Sequence, residues 1–227
     1  MKIELHAHTS DTSHCGHVCA HDIVKTYAEQ TDYDAIVITD HFNDYILERF
    51  GIEDDTERVK RYLAGYYRAL EAGKKYNIKI FFGIEVCLNK EIYPGCRNDY
   101  LIYGATPDFI YQHPYLYQYT LPELYQICED NHILLIQAHP NREGCQPSNP
   151  DYLHGAEVYN GHIGHRNHND ITLPWAIENH LLQTAGSDFH DYNSLASAGI
   201  ETQYDIANEK ELADCIRKQE LKILRNK

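Results

Sequence analysis

The sequence predicts an α/β fold in which parallel strands close into a barrel, and two observations carry that expectation. Six short apolar runs alternate with amphipathic helical patterns, and each run leads into a residue able to ligate a metal. Buried parallel strands read as continuous runs rich in β-branched residues. An α/β barrel gathers the C-terminal ends of its strands on one rim, where its active site lies. With 227 residues and 43% hydrophobic content, the chain suits one such domain over residues 1–227.

The first strand is expected over residues 2–7, where Ile3-Glu4-Leu5 leads into His6 and His8. An amphipathic stretch over 21–30 follows, with Ile23, Val24, Tyr27 and Ala28 on one face. The second strand, 35–39, leads into Asp40 and His41. After a charged segment, a long helical pattern over 56–76 keeps Val59, Leu63, Tyr66, Tyr67 and Leu70 at helical spacing, which reads its tyrosines as packing residues. The third strand, 78–86, carries Glu85.

Residues 89–107 are less regular, and Tyr100-Leu101-Ile102-Tyr103 within them is expected as a fourth strand stopped by Gly104. The aromatic-rich stretch 109–119 is expected to wall the site. Thr120 before Leu121-Pro122-Glu123 caps a helix reaching about residue 131. Strands recur near 133–138, 155–160 and 183–187, leading into His139, Asn160, and Asp188 with His190; a helix at 169–180 separates the last two. Residues 208–217 read as a helix and 221–224 as one more strand.

Composition excludes several classes. A formal charge of −14 argues against a nucleic-acid partner, since neutralising phosphates needs a basic face. Seven scattered cysteines without a paired CxxC spacing fit reduced thiols and a cytoplasmic location. The start Met1-Lys2-Ile3-Glu4-Leu5-His6 has no apolar signal region, and no run is long enough to span a membrane. There is no glycine-rich phosphate loop and no GxSxG elbow, so nucleotide-driven and serine-hydrolase chemistry drop out. Cys15-Gly16-His17-Val18-Cys19 is dense but lacks the second half of a structural zinc site.

His6-Ala7-His8 alternates at a strand end, so both imidazoles face one side and one metal can take both. Asp188-Phe189-His190 repeats that geometry with a carboxylate. His41, Glu85 and His139 each stand at the end of their own strand, and together the set describes a metal centre. Mixed imidazole and carboxylate ligands suit Zn, Mn or Fe better than Ca.

His6-Ala7-His8-Thr9, Ile38-Thr39-Asp40-His41, Gly83-Ile84-Glu85, Ala138-His139-Pro140 and Ser187-Asp188-Phe189-His190 resemble, in order, the motifs of the PHP (polymerase and histidinol phosphatase) superfamily. The resemblance implies a distorted (β/α)7 barrel of seven strands that binds two or three divalent metals and hydrolyses phosphoesters. It implies His6, His8, Glu85 and Asp188 around one metal, with Glu85 bridging to a second that uses His139. Around a third it implies His41 and His190 with His14, for which His17 is a rival. Asp40 is expected to orient an imidazole or to serve the fold. The pattern breaks at Gly104-Ala105-Thr106, where three-metal relatives carry another histidine, leaving the second metal weakly held, completed by water or His113, or absent.

The expected chemistry is hydrolysis of a small phosphorylated metabolite, histidinol phosphate or a nucleotide among the candidates, by a hydroxide generated on the metals. Arg142 and Arg166 are the candidate phosphate forks, with a surface pair to Glu143 as the alternative for Arg142. His162, His165 and His168 are candidates to bind substrate or to protonate a leaving group, with His162 taken as the catalytic one. A nuclease or proofreading phosphodiesterase and a non-catalytic metal-dependent binding protein are the alternatives.

Overall fold

In the computed structural model, which describes residues 1–93 and 96–226, the six ligand-bearing runs form strands that point the same way. These are β1 (Lys2–Ala7), β2 (Ala35–Ile38), β4 (Lys79–Tyr93), β6 (Leu134–Gln137), β7 (Gly155–Asn160) and β8 (Leu182–Gly186). With β5 (Cys96–Tyr103) they make seven barrel strands in the order β1-β2-β4-β5-β6-β7-β8. The backbone past β8 closes the ring, Phe189 donating to His6 O at 3.0 Å and His8 to Phe189 O at 3.0 Å. The closing bonds thus lie at the level of the first ligand pair. Additional strands flank the barrel: β9 (Ala198–Glu201) and β10 (Lys222–Arg225) extend the β1 edge antiparallel, and the short β3 (His41–Phe42) pairs with β4.

Three sequence expectations are corrected here. The stretch expected to be irregular is a β4–β5 hairpin, with β5 antiparallel to both neighbours. Gly104 therefore lies at the end of the barrel away from His139, near Ile133 and Ala213. The strand's other end, at Asp99, reaches the ligand rim instead. Hairpin direction is a long-range pairing decision that apolar runs do not encode.

The expected long helix is two, α3 (Asp55–Tyr62) and α4 (Ala64–Tyr76), broken at Leu63. The Thr12 hydroxyl enters the helical ladder, donating to Tyr62 O at 2.8 Å and accepting from Gly65 N at 3.2 Å. An inserted side chain of this kind is a recognised cause of kinking. Gly65 is required there, because a Cβ would stand 2.3 Å from Thr9 Oγ1 and 2.7 Å from Asp40 Oδ2. The third correction concerns residues 109–119: Phe109, Ile110, Leu116 and Tyr117 join the outer core, Tyr117 facing Phe42.

The remaining helices follow their local signals. α1 (Ala20–Gln30) buries Ile23, Val24 and Tyr27, and α6 (Leu121–Asp130) begins with a full capping box between Thr120 and Glu123. The charged segment after β3 contains α2 (Asp44–Arg49), capped by Asn43, and α5 (Pro107–Gln112) follows β5. α7 (Asn169–Glu178) and α8 (Glu209–Lys218) complete the set.

An outer core lies between strands and helices. An inner one fills the barrel with Leu5, Val37, Phe81, Leu101 and Ile136, floored by Leu212 and Ile216 of α8. Burying each such side chain contributes on the order of 1.5–3 kcal/mol, so the rim rests on a rigid floor. None of the described helices is long and apolar enough to cross a membrane.

Candidate metal centre

Glu85 is the hub. β4 carries it into the barrel mouth, and β3 pairs His41 directly opposite it. Its Oε1 lies 3.2 Å from His6 Nε2 and 3.4 Å from His139 Nε2, and its Oε2 lies 3.2 Å from His8 Nε2 and 2.9 Å from His41 Nδ1. Asp188 Oδ1 stands 3.4 Å from His6 Nε2, 3.3 Å from His8 Nε2 and 3.4 Å from His190 Nδ1. Both glutamate oxygens, His6 Nε2, His8 Nε2 and His41 Nδ1 are buried without a well-aligned hydrogen bond. Buried polar atoms are almost always paired, so five orphans facing one point fit a cation.

β1 delivers two ligand candidates because its register with β2 shifts between Glu4 and Ala7. Leu5 packs in the inner core, yet its neighbour His6 also faces the barrel mouth, as a bulge permits. Gly186 makes room: a Cβ there would stand 2.3 Å from His6 Cβ. Two candidates, His139 (φ 30) and Asp188 (φ 49), sit in the left-handed region. Such conformations cost on the order of 1–3 kcal/mol and cluster at functional sites.

The other ring nitrogens of His6 and His8 are held. His6 Nδ1 meets Glu157 Oε1 at 2.9 Å, and Glu157 Oε2 accepts from His139 N at 3.1 Å and Asn160 Nδ2 at 2.8 Å. Asp40 accepts from Thr9 N and Ser13 Oγ, each at 2.7 Å, and Ser13 Oγ lies 3.4 Å from His8 Nδ1. Imidazoles oriented this way through one nitrogen present the other to a metal.

Electrostatics agree with a cation site. Burial opposes charge on Glu85, yet His41, His6 and His8 hold its carboxyl well below the usual carboxylate range. Asp188 is likewise held low by His6, His8 and Arg142 against its burial. Conversely, burial lowers His6, but Asp188, Glu157 and Glu85 outweigh it and raise its pKa well above the ordinary value. Without metal the cluster holds protons, and a bound cation would displace them.

The structure brings His6, His8, His41, Glu85, His139, Asp188 and His190 together, with His8, His41 and His190 ligand atoms within 4.8 Å of one another. His14 is not brought in: it is exposed, its ring 6.5 Å from Tyr45, and its rival His17 is exposed too. That loop instead brings a thiol to the cluster, that of Cys15, whose Sγ lies 3.1 Å from His190 Nε2. Burial pushes this thiol up, but hydrogen bonds with His190 and His41 bring it down to about 5. His113 packs with Phe109 and Tyr119, while Asp99 joins His41 and Glu85 within 4.8 Å.

Arg142 reaches Asp188 Oδ2 rather than Glu143, and Asn167 Oδ1 at 3.0 Å and Asn160 Oδ1 at 3.1 Å hold its guanidinium. Arg166 is exposed on the loop after β7. His162 stands half-buried at the rim, its ring 5.3 Å from that of His190. Burial lowers its pKa to about 4, so it is uncharged near neutrality.

Sequence reasoning missed Asp99, Glu157 and Cys15 as participants. Asp99 lies on a strand whose direction no apolar pattern marks. Glu157, by contrast, left a signal: an acidic residue inside an apolar strand, which is buried at a cost unless paired.

The sequence matches the PHP domain over residues 4–159. Among solved structures, it is similar to a two-domain protein from Bacteroides vulgatus that contains a predicted PHP-like metal-dependent phosphoesterase. The TM-score is 0.69 at 16% identity, covering 100% of this chain and 65% of that one. The chain thus spans a little under two thirds of that protein's length. A candidate metal-dependent phosphoesterase from Bifidobacterium adolescentis aligns with TM-score 0.56 at 14% identity, covering 94% and 96% of the two chains. An amidohydrolase from Chromobacterium violaceum, solved with bound sulfate and no metal, aligns with TM-score 0.57 at 13% identity over 99% and 98%. No curated protein matches the chain.

Proposed function

From the premise that the chain belongs to the PHP domain family, we propose that it is a metal-dependent phosphoesterase acting on a small phosphorylated metabolite. The observation that carries this reading is Glu85. A buried carboxylate with neither oxygen hydrogen-bonded, facing four imidazoles from three strands at 2.9–3.4 Å, has no structural use without a cation between them. His6, His8, Glu85 and Asp188 would hold one metal. Glu85, His139 and Asp99 would hold a second, and His41 and His190 a third. When bound, these ions supply Lewis acidity, an activated water and a clamp on the attacking and leaving oxygens.

The chain's own residues do the positioning. Arg142 fixes Asp188 through Oδ2 and leaves Oδ1 toward His6, His8 and His190. Asn160 ties three rim groups together, bonding Glu157, Asp188 and Arg142. His162, uncharged near neutrality, offers a ring N–H that donates a hydrogen bond to substrate, the binding role rather than that of an imidazolium acid. Its Nδ1 accepts from Gly164 N at 3.0 Å, so Nε2 carries the proton.

A charge of −14 supports a small ester over a nucleic-acid substrate. The test is metal analysis of protein purified without chelator, beside a panel of phosphate monoesters and diesters that includes histidinol phosphate and nucleotides. Bound Zn, Mn or Fe with monoester turnover is expected. Protein that neither holds nor regains metal, or metal-loaded protein inert toward every ester, would overturn the reading.

A further inference from the structure

We propose that Cys15 is a thiolate ligand of the metal position bounded by His8, His41 and His190, so that this position selects a thiophilic cation such as Zn2+. The inference rests on the reading above that the rim cluster binds metals, and it adds a ligand of a different chemical class.

Geometry carries it. His190 Nδ1 donates to Asp188 O at 2.9 Å, which turns Nε2 toward Cys15 Sγ at 3.1 Å, the sulfur and Nε2 sharing one proton. A second observation points to a ligand at the same place. His41 Nδ1 is buried without a well-aligned partner, and ligand nitrogens of His8, His41 and His190 lie within 4.8 Å of one another, His8 being shared with the neighbouring position at Glu85 and Asp188. Cys15 Sγ thus stands against two of these imidazoles, those of His190 and His41.

The loop after β1 is built to put Cys15 there. Ser10 N donates to Val18 O at 2.9 Å, Gly16 N to Ser13 O at 3.1 Å, and His17 N to His190 O at 2.8 Å. The chain is pinned on both sides of Cys15. Gly16 permits the tight return, since a Cβ there would stand 2.9 Å from the Thr9 carbonyl carbon. The same turn directs His14 outward toward Tyr45.

Ligation forms a sulfur–metal bond and releases to solvent the one proton that the Cys15–His190 pair holds without metal, with no change of oxidation state. Thiolate favours Zn2+ and disfavours hard cations such as Mg2+ and Mn2+, which seek oxygen. A third position built from histidines alone would lack that selectivity.

The experiment loads the chelator-stripped protein with Co2+ and records its spectrum. A thiolate-to-cobalt charge-transfer band in the near ultraviolet is expected, absent in Cys15→Ser and kept in His14→Ala and Cys87→Ser. In parallel, Zn2+ should slow iodoacetamide modification of Cys15, read by peptide mass, by at least about tenfold in the unaltered protein. That arm stands even if Cys15→Ser fails to fold. Cobalt bound without the band, a band surviving in Cys15→Ser, or alkylation indifferent to Zn2+ would overturn the thiolate while leaving the metal site intact. Protein that binds no cobalt would overturn both readings.

Discussion

Glu157 fixes the ring of His6: its Oε1 lies 2.9 Å from Nδ1, which turns Nε2 toward Glu85 and Asp188. The same carboxylate takes the His139 backbone N–H through Oε2 at 3.1 Å, so one buried acid on β7 sets two rim histidines from behind. Partners of this kind tune a metal site without touching the metal. Glu157→Gln should weaken metal binding about 10–100-fold while the fold persists. Competition titration against a chromophoric chelator, beside circular dichroism, checks both halves.

His8→Ala and Asp188→Ala should each lower phosphomonoester hydrolysis on the order of a hundredfold or more, since both side chains face the shared rim point. Activity within about threefold of the parent in both variants would move the chemistry elsewhere.

The two arginines should separate. Arg142 is mostly buried and bound to Asp188, Asn160 and Asn167, so Arg142→Ala should cost about 2–4 kcal/mol in kcat/KM and also loosen the metal by freeing Asp188. Lysine at that position should rescue only part, keeping charge without the fork. Arg166 is exposed, and Arg166→Ala should leave kcat/KM within about threefold. Steady-state kinetics with metal analysis of each variant decides.

Gly186→Ala places a Cβ 2.3 Å from His6 Cβ and 2.9 Å from His6 N. Backbone and side chain cannot both stay, so a loss of about 1–3 kcal/mol in stability is expected, with weaker metal binding as His6 shifts. Urea denaturation and metal titration read the two effects.

His154 supplies a pH dependence away from the metals. Its Nδ1 accepts the Leu135 N–H at 3.0 Å, and burial lowers its pKa. The folded state therefore favours the neutral ring. This contribution is complete above the ordinary histidine value of about 6.5 and is lost as pH falls below it, when the unfolded chain takes up a proton more readily. Replacing His154 by Asn should flatten the decline in stability below about pH 6.5. An unchanged slope would exclude His154 as its source.

Much of the barrel was legible because its signals are local. Each apolar run names its own strand, and the polar residue that ends it must face the rim if the run is buried and the strands are parallel. That reasoning reached His6, His8, His41, Glu85, His139, Asp188 and His190, which the structure gathers around one mouth. It also reached the Thr120 cap, since a capping box lies within four residues.

What the tertiary structure decided depends on contacts between residues distant in sequence. The direction of β5 replaced a gap at Gly104 with a carboxylate at Asp99. A hydroxyl from Thr12 split one helical pattern into two, because a period of 3.6 cannot register a bond from 50 residues away. In the loop after β1, His14, Cys15 and His17 stand within four positions, and composition favours the histidines. Backbone bonds to Val18, Ser13 and His190 chose the cysteine. Local sequence determined which residue types reach the rim, since strand periodicity is short-ranged. Loop identity and strand polarity are settled by closure of the barrel, which no segment of the chain carries alone.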